Sequence, residues 1–487
     1  MSGTTSTTRD ARWLALIVLC AGMLMIILDA TIVNVALPSI QSDLQFSQSG
    51  LAWVVNAYLI AFGGLLLLAG RLGDLIGRKR VFLGGLAVFT VASLLCGFAQ
   101  TQEMLIAARF VQGVGGALAS AVILGMIVTM FPEPAEQARA IGVFSFVASA
   151  GASIGLLAGG ALTQGINWHW IFFVNVPIGI VVAVLAYRLL AAERGIGLAE
   201  GADVVGAVLV TGALMLGVYT IVKAADYGWS SARTIGFGAV ALGLLAGFLV
   251  RQATAAKPLL PLRIFGSRNV SGANVIQILM VAGMFGMFFL GALYLQKVLG
   301  YDALEIGASY LPVSVGIGAL SLRFAAQLTM RFGARRVLAV GLTSIAAGLL
   351  LFARAPIGAS FVVDVLPPML LLGVGAGVSF PALMTLAMSG ATASDSGLAS
   401  GLVSTTQQVG GALGLAVLAT LSTSRTKELV SAGQAQVVAL TSGFHLAFAV
   451  GAGLVAVAIV LVLTVLRPAT QPEVESAEEP ETELAAA

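Results

Sequence analysis

Apolar runs of about twenty residues or more recur from one end of this chain to the other, and that recurrence limits what it can fold into. Inside a bilayer every backbone N–H and C=O must be satisfied within the protein, so only helices and closed barrels can cross. Barrel strands alternate apolar and polar residues, whereas these runs are continuously apolar, so the crossing elements are helices. At about twenty residues per crossing, spans are predicted near 13–37, 51–69, 81–99, 104–130, 141–163, 170–190, 204–222, 235–250, 270–294, 306–325, 337–353, 362–387, 398–421 and 444–466, fourteen in all. A composition of 59% hydrophobic against 10% charged residues excludes a soluble protein of 487 residues, which could not cover its surface. The predicted fold class is an all-α polytopic membrane protein. Its first apolar run, after Arg9 and Arg12, is too long for a signal-peptide core and is read as an uncleaved span.

The net charge of +3 would matter for nucleic acid only if the basic residues were clustered on a folded face. They lie between the apolar runs instead, so no nucleic-acid partner is expected. Their distribution is lopsided. With an even span count both termini share one side, and that side receives Arg9, Arg12, Arg71, Arg78, Lys79, Arg80, Arg139, Arg188, Arg194, Arg251, Lys257, Arg263, Arg268, Arg323, Arg331, Arg335, Arg336 and Arg467, against Lys223, Arg233, Lys297, Arg354, Arg425 and Lys427 opposite. The positive-inside rule places both termini in the cytoplasm. The two cysteines, Cys20 and Cys96, fall within apolar runs and support neither a disulfide framework nor a metal site. Six glutamates among Pro and Ala after Arg467 predict a disordered acidic tail over 468–487.

An internal repeat organises the rest. The segment 69–85 aligns without gaps to 325–341, matching Gly77, Arg80 and Gly85 to Gly333, Arg336 and Gly341, and Gly142, Gly151 and Gly155 of the fifth span meet Gly401, Gly410 and Gly414 of the thirteenth. Both pairs lie eight spans apart in the same orientation. This predicts two pseudo-symmetric six-helix bundles plus two central helices: a cytoplasmic N-terminus at 1–12, an N-terminal bundle at 13–190, a central insert at 191–268 and a C-terminal bundle at 269–467. Parallel repeats of this kind enclose a site near the bilayer midplane between the bundles.

Within the spans only Asp29 and Arg109 carry charge far from an end; Glu305 and Asp364 stand at span edges. A charge at mid-span costs about 2.5–3.5 kcal/mol on insertion scales and is retained where it faces a partner or a cavity. Asp29 precedes Pro38 by nine residues, roughly 13 Å from one face, and Arg109 follows Glu103 by six, roughly 9 Å from the same face. Their depths overlap, which allows either a static ion pair or a carboxylate that takes up and releases protons with Arg109 as modulator. Polar groups within the spans, Asn34, Asn56, Tyr58, Gln112, Asn274, Gln277, Tyr294, Gln407 and Gln408, are the candidates for substrate contact, with interhelical bridging as their ordinary alternative. Met280, Met284, Phe285, Met287, Phe288 and Phe289 form either an adaptable cavity wall or a lipid-facing stripe. No GxxxxGK[ST] loop, HExxH or CxxC pair is present, and no second carboxylate or nucleophile stands beside Asp29 in the sequence. An enzyme is therefore not expected, and no metal or cofactor is called for.

The motifs resemble the major facilitator superfamily, and within it the fourteen-span drug:proton antiporters. LDATIVNVALPSI at 28–40 is similar to that family's first-span signature, GRLGDLIGRKR at 70–80 to its second-to-third-span loop, LIAARFVQGVGGA at 105–117 to its fourth-span motif, GASIGLLAGG at 151–160 to its fifth-span antiporter motif and WHWIFFVNVPIG at 168–179 to its sixth-span segment. Two positions depart: Leu75 replaces a common basic residue and Leu156 the usual proline. The resemblance implies a monomeric secondary transporter of the bacterial cytoplasmic membrane. It would expel hydrophobic or cationic drugs by alternating access in exchange for protons carried by Asp29, with Arg109 as modulator and the proton gradient as fuel. Gly70, Asp74, Gly77, Arg78, Gly151 and Gly155 would gate it, Asp74 latching onto the start of the thirteenth span near Asp395. Export or import of one metabolite on the same scaffold, and a channel or transporter-like sensor, are the alternatives.

Overall fold

The computed structural model describes residues 4–191, 195–197, 201–389 and 396–467, and the described part is helical with no strand. The N-terminal half comprises α1 (Thr4–Asp43), α2 (Gln48–Ile76), α3 (Arg78–Gly97), α4 (Gln102–Met130), α5 (Pro134–Gly165), α6 (Trp170–Phe173) and α7 (Asn175–Leu189). The insert contributes α8 (Val204–Tyr227) and α9 (Ala232–Thr254). In the C-terminal half, α10 (Arg268–Lys297) and α11 (Ala303–Ala319) are followed, across a π turn at Leu320–Phe324, by α12 (Ala325–Phe332) and α13 (Ala334–Phe352). A second π turn at Phe361–Val365 leads into α14 (Leu366–Ser389), and α15 (Ser396–Ser431) and α16 (Gln436–Thr464) complete the chain. Among the described residues twelve helices are long and apolar enough to cross a membrane; α5 and α11 fall outside that set, α11 being 17 residues long before its π turn.

Sequence chemistry sets the helix boundaries. Ser47, Thr101, Ser231 and Ser267 cap α2, α4, α9 and α10 by accepting from backbone N–H groups in the first turn. Asp302 and Glu305 form a reciprocal capping box on α11, so Glu305, read from sequence as a span-edge charge, is a helix-start residue. The predicted first span ends too early, since α1 runs on to Asp43. The predicted sixth span is two helices that meet at Val174, which places Asn175 at the start of α7.

The repeat has a direct structural counterpart. Gly77 (φ 98°) joins α2 to α3 and Gly333 (φ 83°) joins α12 to α13, both in the left-handed region that favours glycine. Gly85 of α3 lies on the α4 backbone at Gly115 and Ala119, and its partner in the alignment, Gly341 of α13, lies on the α14 backbone at Gly375. In the second aligned pair, Gly155 of α5 meets the Leu28 carbonyl of α1, while Gly414 of α15 meets Ala282 of α10. The same close helix seams are thus built twice, as small residues at helix interfaces permit. The two halves join through α2 against α15 and α5 against α11, contacts that the repeat exchanges. The helix α8 packs on both α2 and α15, with Thr211 against Gly64 and the Thr420 hydroxyl donating to the Ile221 carbonyl, while α9 packs on α8.

Candidate functional site

Between the halves lies a cavity of about 1260 Å³. Its rim carries Arg71, Asp74, Arg78 and Lys257, so it opens on the face with the basic loops. The other face is closed. There the Gln164 amide donates to Asp302 at 2.9 Å and the Gln48 amide to Ser422 at 3.1 Å, both across the halves. Glycines permit backbone contact beside these bonds: a Cβ at Gly160 would stand 2.7 Å from the Ala303 carbonyl and one at Gly307 2.6 Å from the Leu156 carbonyl. Leu156, which replaces the proline of the resembling motif, thus sits in the closed seam.

The inner wall is apolar, with Ile26, Tyr58, Phe62, Phe285 and Met384 among its side chains, interrupted by neutral hydrogen-bonding residues at Thr31, Ser120, Ser404, Gln407 and Gln408. Of the nine candidate contact residues, Tyr58, Gln407 and Gln408 line this cavity. The others stand elsewhere. Asn34 donates back to the Ala30 carbonyl, Asn274 donates to Val270 and accepts from Thr406, and the Tyr294 hydroxyl donates to the Pro356 carbonyl. Asn56 and Gln277 are buried. Of the methionine and phenylalanine cluster only Phe285 reaches the cavity; Met280, Met284, Met287 and Phe289 are buried in the packed interior.

Beside the cavity, sealed inside the N-terminal half, Asp29 and Arg109 are 0% and 1% exposed. One terminal nitrogen of Arg109 donates to Asp29 Oδ2 at 2.6 Å and to Gln112 Oε1 at 2.7 Å, and its Nε donates to the Val54 carbonyl at 3.0 Å. Gln112 Nε2 donates to Asp29 Oδ1 at 2.8 Å and Asn175 Nδ2 to the same oxygen at 2.9 Å; both amides also reach Ser93 Oγ, at 2.7 and 2.9 Å. The guanidinium lies 4.4 Å from the centre of the Tyr58 ring. Since Tyr58 also lines the cavity, its ring forms the partition between cavity and ion pair. Gln112, a substrate candidate from sequence, is a member of this network.

The sequence motif around WHWIFFVNVPIG contains Asn175 without marking it as part of the site, and Ser93 and Cys96 are missed altogether. Small neutral polar residues within spans give no signal unless the helix face they occupy is known. Of the residues expected to gate, Gly70 stands at the cavity rim, and Arg78 lies 3.4 Å from Asp74, also donating to Thr129 at 2.8 Å. The expected partner of Asp74, Asp395, lies outside the described residues. Gly151 and Gly155 lie in the α1–α5 seam within one half.

Two helical halves around a cavity open to one face, with an ion pair sealed beside it, define a membrane transporter. The profile of the Major Facilitator Superfamily matches residues 19–415, and the chain belongs to that superfamily. It is 36% identical over 474 residues to the puromycin resistance protein of Streptomyces alboniger, covering 96% of this chain and 94% of that one. It is also 38% identical over 427 residues to the cephamycin export protein of Amycolatopsis lactamdurans, covering 87% and 88%. A bacterial homologue of the human lysosomal transporter Spinster shares the fold, with a TM-score of 0.70 at 16% identity over 95% of this chain and 99% of that one.

Proposed function

We propose that this chain is a proton-coupled exporter of amphipathic antibiotics or drugs, working by alternating access as a monomer in the bacterial cytoplasmic membrane. The relatives named for antibiotic resistance and export support the substrate class, and the wall of the cavity suits it: apolar surface with a few neutral hydrogen-bonding groups binds varied amphipathic compounds. In this reading the basic-loop face is cytoplasmic, both termini lie there, α5 and the α11–α12 column complete fourteen spans, and the structure is the state that loads substrate from inside. Tyr58, Gln407 and Gln408 contact the substrate, and Asp74 with Arg78 guards the entrance.

The observation that carries the coupling is the position of Asp29, the one acid deep in a span, held by Arg109 directly behind a wall of the cavity. Protonating Asp29 removes the negative partner of Arg109 and loosens the tie between α1 and α4. One proton moving through about 100 mV supplies about 2.3 kcal/mol, enough for roughly a fifty-fold concentration gradient. Proteoliposomes with an imposed pH gradient test the proposal. Efflux should follow the gradient, and Asp29→Asn should uncouple transport from pH while substrate still binds. Normal coupling in that variant would remove Asp29 from the mechanism.

A further inference from the structure

Among the described residues around Asp29 two buried polar atoms have no partner, the Tyr58 hydroxyl and the Asn175 side-chain oxygen, and of the two only Asn175 bonds to the carboxylate. Asn175 spends its amide N–H groups on Asp29 Oδ1 and Ser93 Oγ, while its own Oδ1 is buried with no partner. Gln112 is oriented by its neighbours: its oxygen receives Arg109 and the Cys96 thiol, so its NH₂ faces Asp29. Asn175 has no such constraint. A buried acceptor left empty is costly, and in this setting it has a use. The carboxylate is acceptor-only, but once protonated it carries an O–H that needs an acceptor.

We infer that Asn175, with Ser93, is a positioning pair that reads the protonation state of Asp29 by turning the Asn175 amide over. This rests on the proton-carrier reading of Asp29. With Asp29 ionised, Nδ2 donates to Asp29 and Ser93, as the structure shows. With Asp29 protonated, the flipped amide presents Oδ1, which accepts from the carboxyl O–H and from the Ser93 hydroxyl turned to donate. The only net chemical change is the proton bound by Asp29; the rest is one amide rotation and one hydroxyl rotation. Asn175 stands at the start of α7, and its side chain reaches the carboxylate from there. The charged or titratable groups facing Asp29 are Arg109 from α4, Tyr58 from α2 and Cys96 from α3. The helices α5, α10 and α11 carry charge only near their ends, and α7 carries only Arg188 in its last turn.

The test follows pH-dependent substrate release together with infrared difference spectra of the full-length protein in lipid, with side-chain ¹⁵N-labelled asparagine. Asn175→Leu removes a bond to the charged form worth more than the one it removes from the neutral form. The midpoint of the pH profile should therefore rise by about one unit, a tenfold tighter hold on the proton. The carboxylic C=O band of Asp29 should move in the same variant. In the unsubstituted protein an asparagine amide band should change in step with that carboxylic band, a readout that needs no mutant to fold. An Asp29 band that titrates with no asparagine band beside it overturns the inference, as does a midpoint unmoved in folded Asn175→Leu. If no carboxylic band is lost in Asp29→Asn, Asp29 takes up no proton, and the proton-carrier reading fails as well.

Discussion

Removing the guanidinium of Arg109 with Arg109→Met keeps much of the stem and leaves the Asp29 carboxylate, 0% exposed, with only its two amide donors. The loss includes the bonds to Asp29, Gln112 and the Val54 carbonyl. Breaking one side of a buried ion pair typically costs about 3–5 kcal/mol, because the remaining charge is uncompensated. Asp29→Asn strands Arg109 in the same way. The double variant strands neither charge, so its cost should fall below the sum of the two by a coupling of about 2–3 kcal/mol, the upper range for residues in contact. Unfolding by sodium dodecyl sulfate in mixed micelles, followed by tryptophan fluorescence, measures all four corners of the cycle. Trp13, Trp53, Trp168 and Trp170 lie in the N-terminal half and report on the affected bundle. Costs that add to within about 0.5 kcal/mol would refute the conclusion that this pair acts as one unit.

Two glycines of the same repeat unit should respond oppositely to a larger side chain: Gly85→Val, facing the α4 backbone, should abolish folded yield, whereas Gly70→Ala, with open space around it, should express normally in a detergent size-exclusion assay. At the closed face, Asp226 bonds to Lys427 of α15 and Lys223 of its own helix. Partial burial raises its pKa, but those lysines outweigh it and hold it below the ordinary value of 3.8. The stability this contributes is present above pH 3.8 and is lost as pH falls below it, so acid unfolding curves of Asp226→Asn and the unsubstituted protein should converge there.

The fold was legible because hydropathy and the requirement for satisfied backbone groups leave a long apolar chain few options, and because Gly77 and Gly333 mark the same tight turn in both halves. Asp29 and Arg109 were legible for the same reason: a mid-span charge is too costly to keep without a partner. The rest of their network was not. Ser93, Cys96 and Asn175 are small neutral residues whose importance depends on which helix faces converge, and hydropathy does not report that. Asn34 and Tyr294 show why polar residues in spans are ambiguous from sequence, since each bonds to a backbone carbonyl away from the cavity between the halves. The π turn at Leu320–Phe324 has no Gly or Pro to announce it.

Where glycine brings one helix backbone onto another, no flexible side chain remains to slide or compress. The seams α3–α4 and α13–α14 therefore make stiff slabs, and bending one would mean prying main chain from main chain. Compliance has to reside elsewhere, at the joins between the halves, where the glycine contacts at Gly160 and Gly307 lie near helix ends and side-chain bonds such as Gln164 of α5 to Asp302 and Gln48 of α2 to Ser422 of α15 can part and re-form.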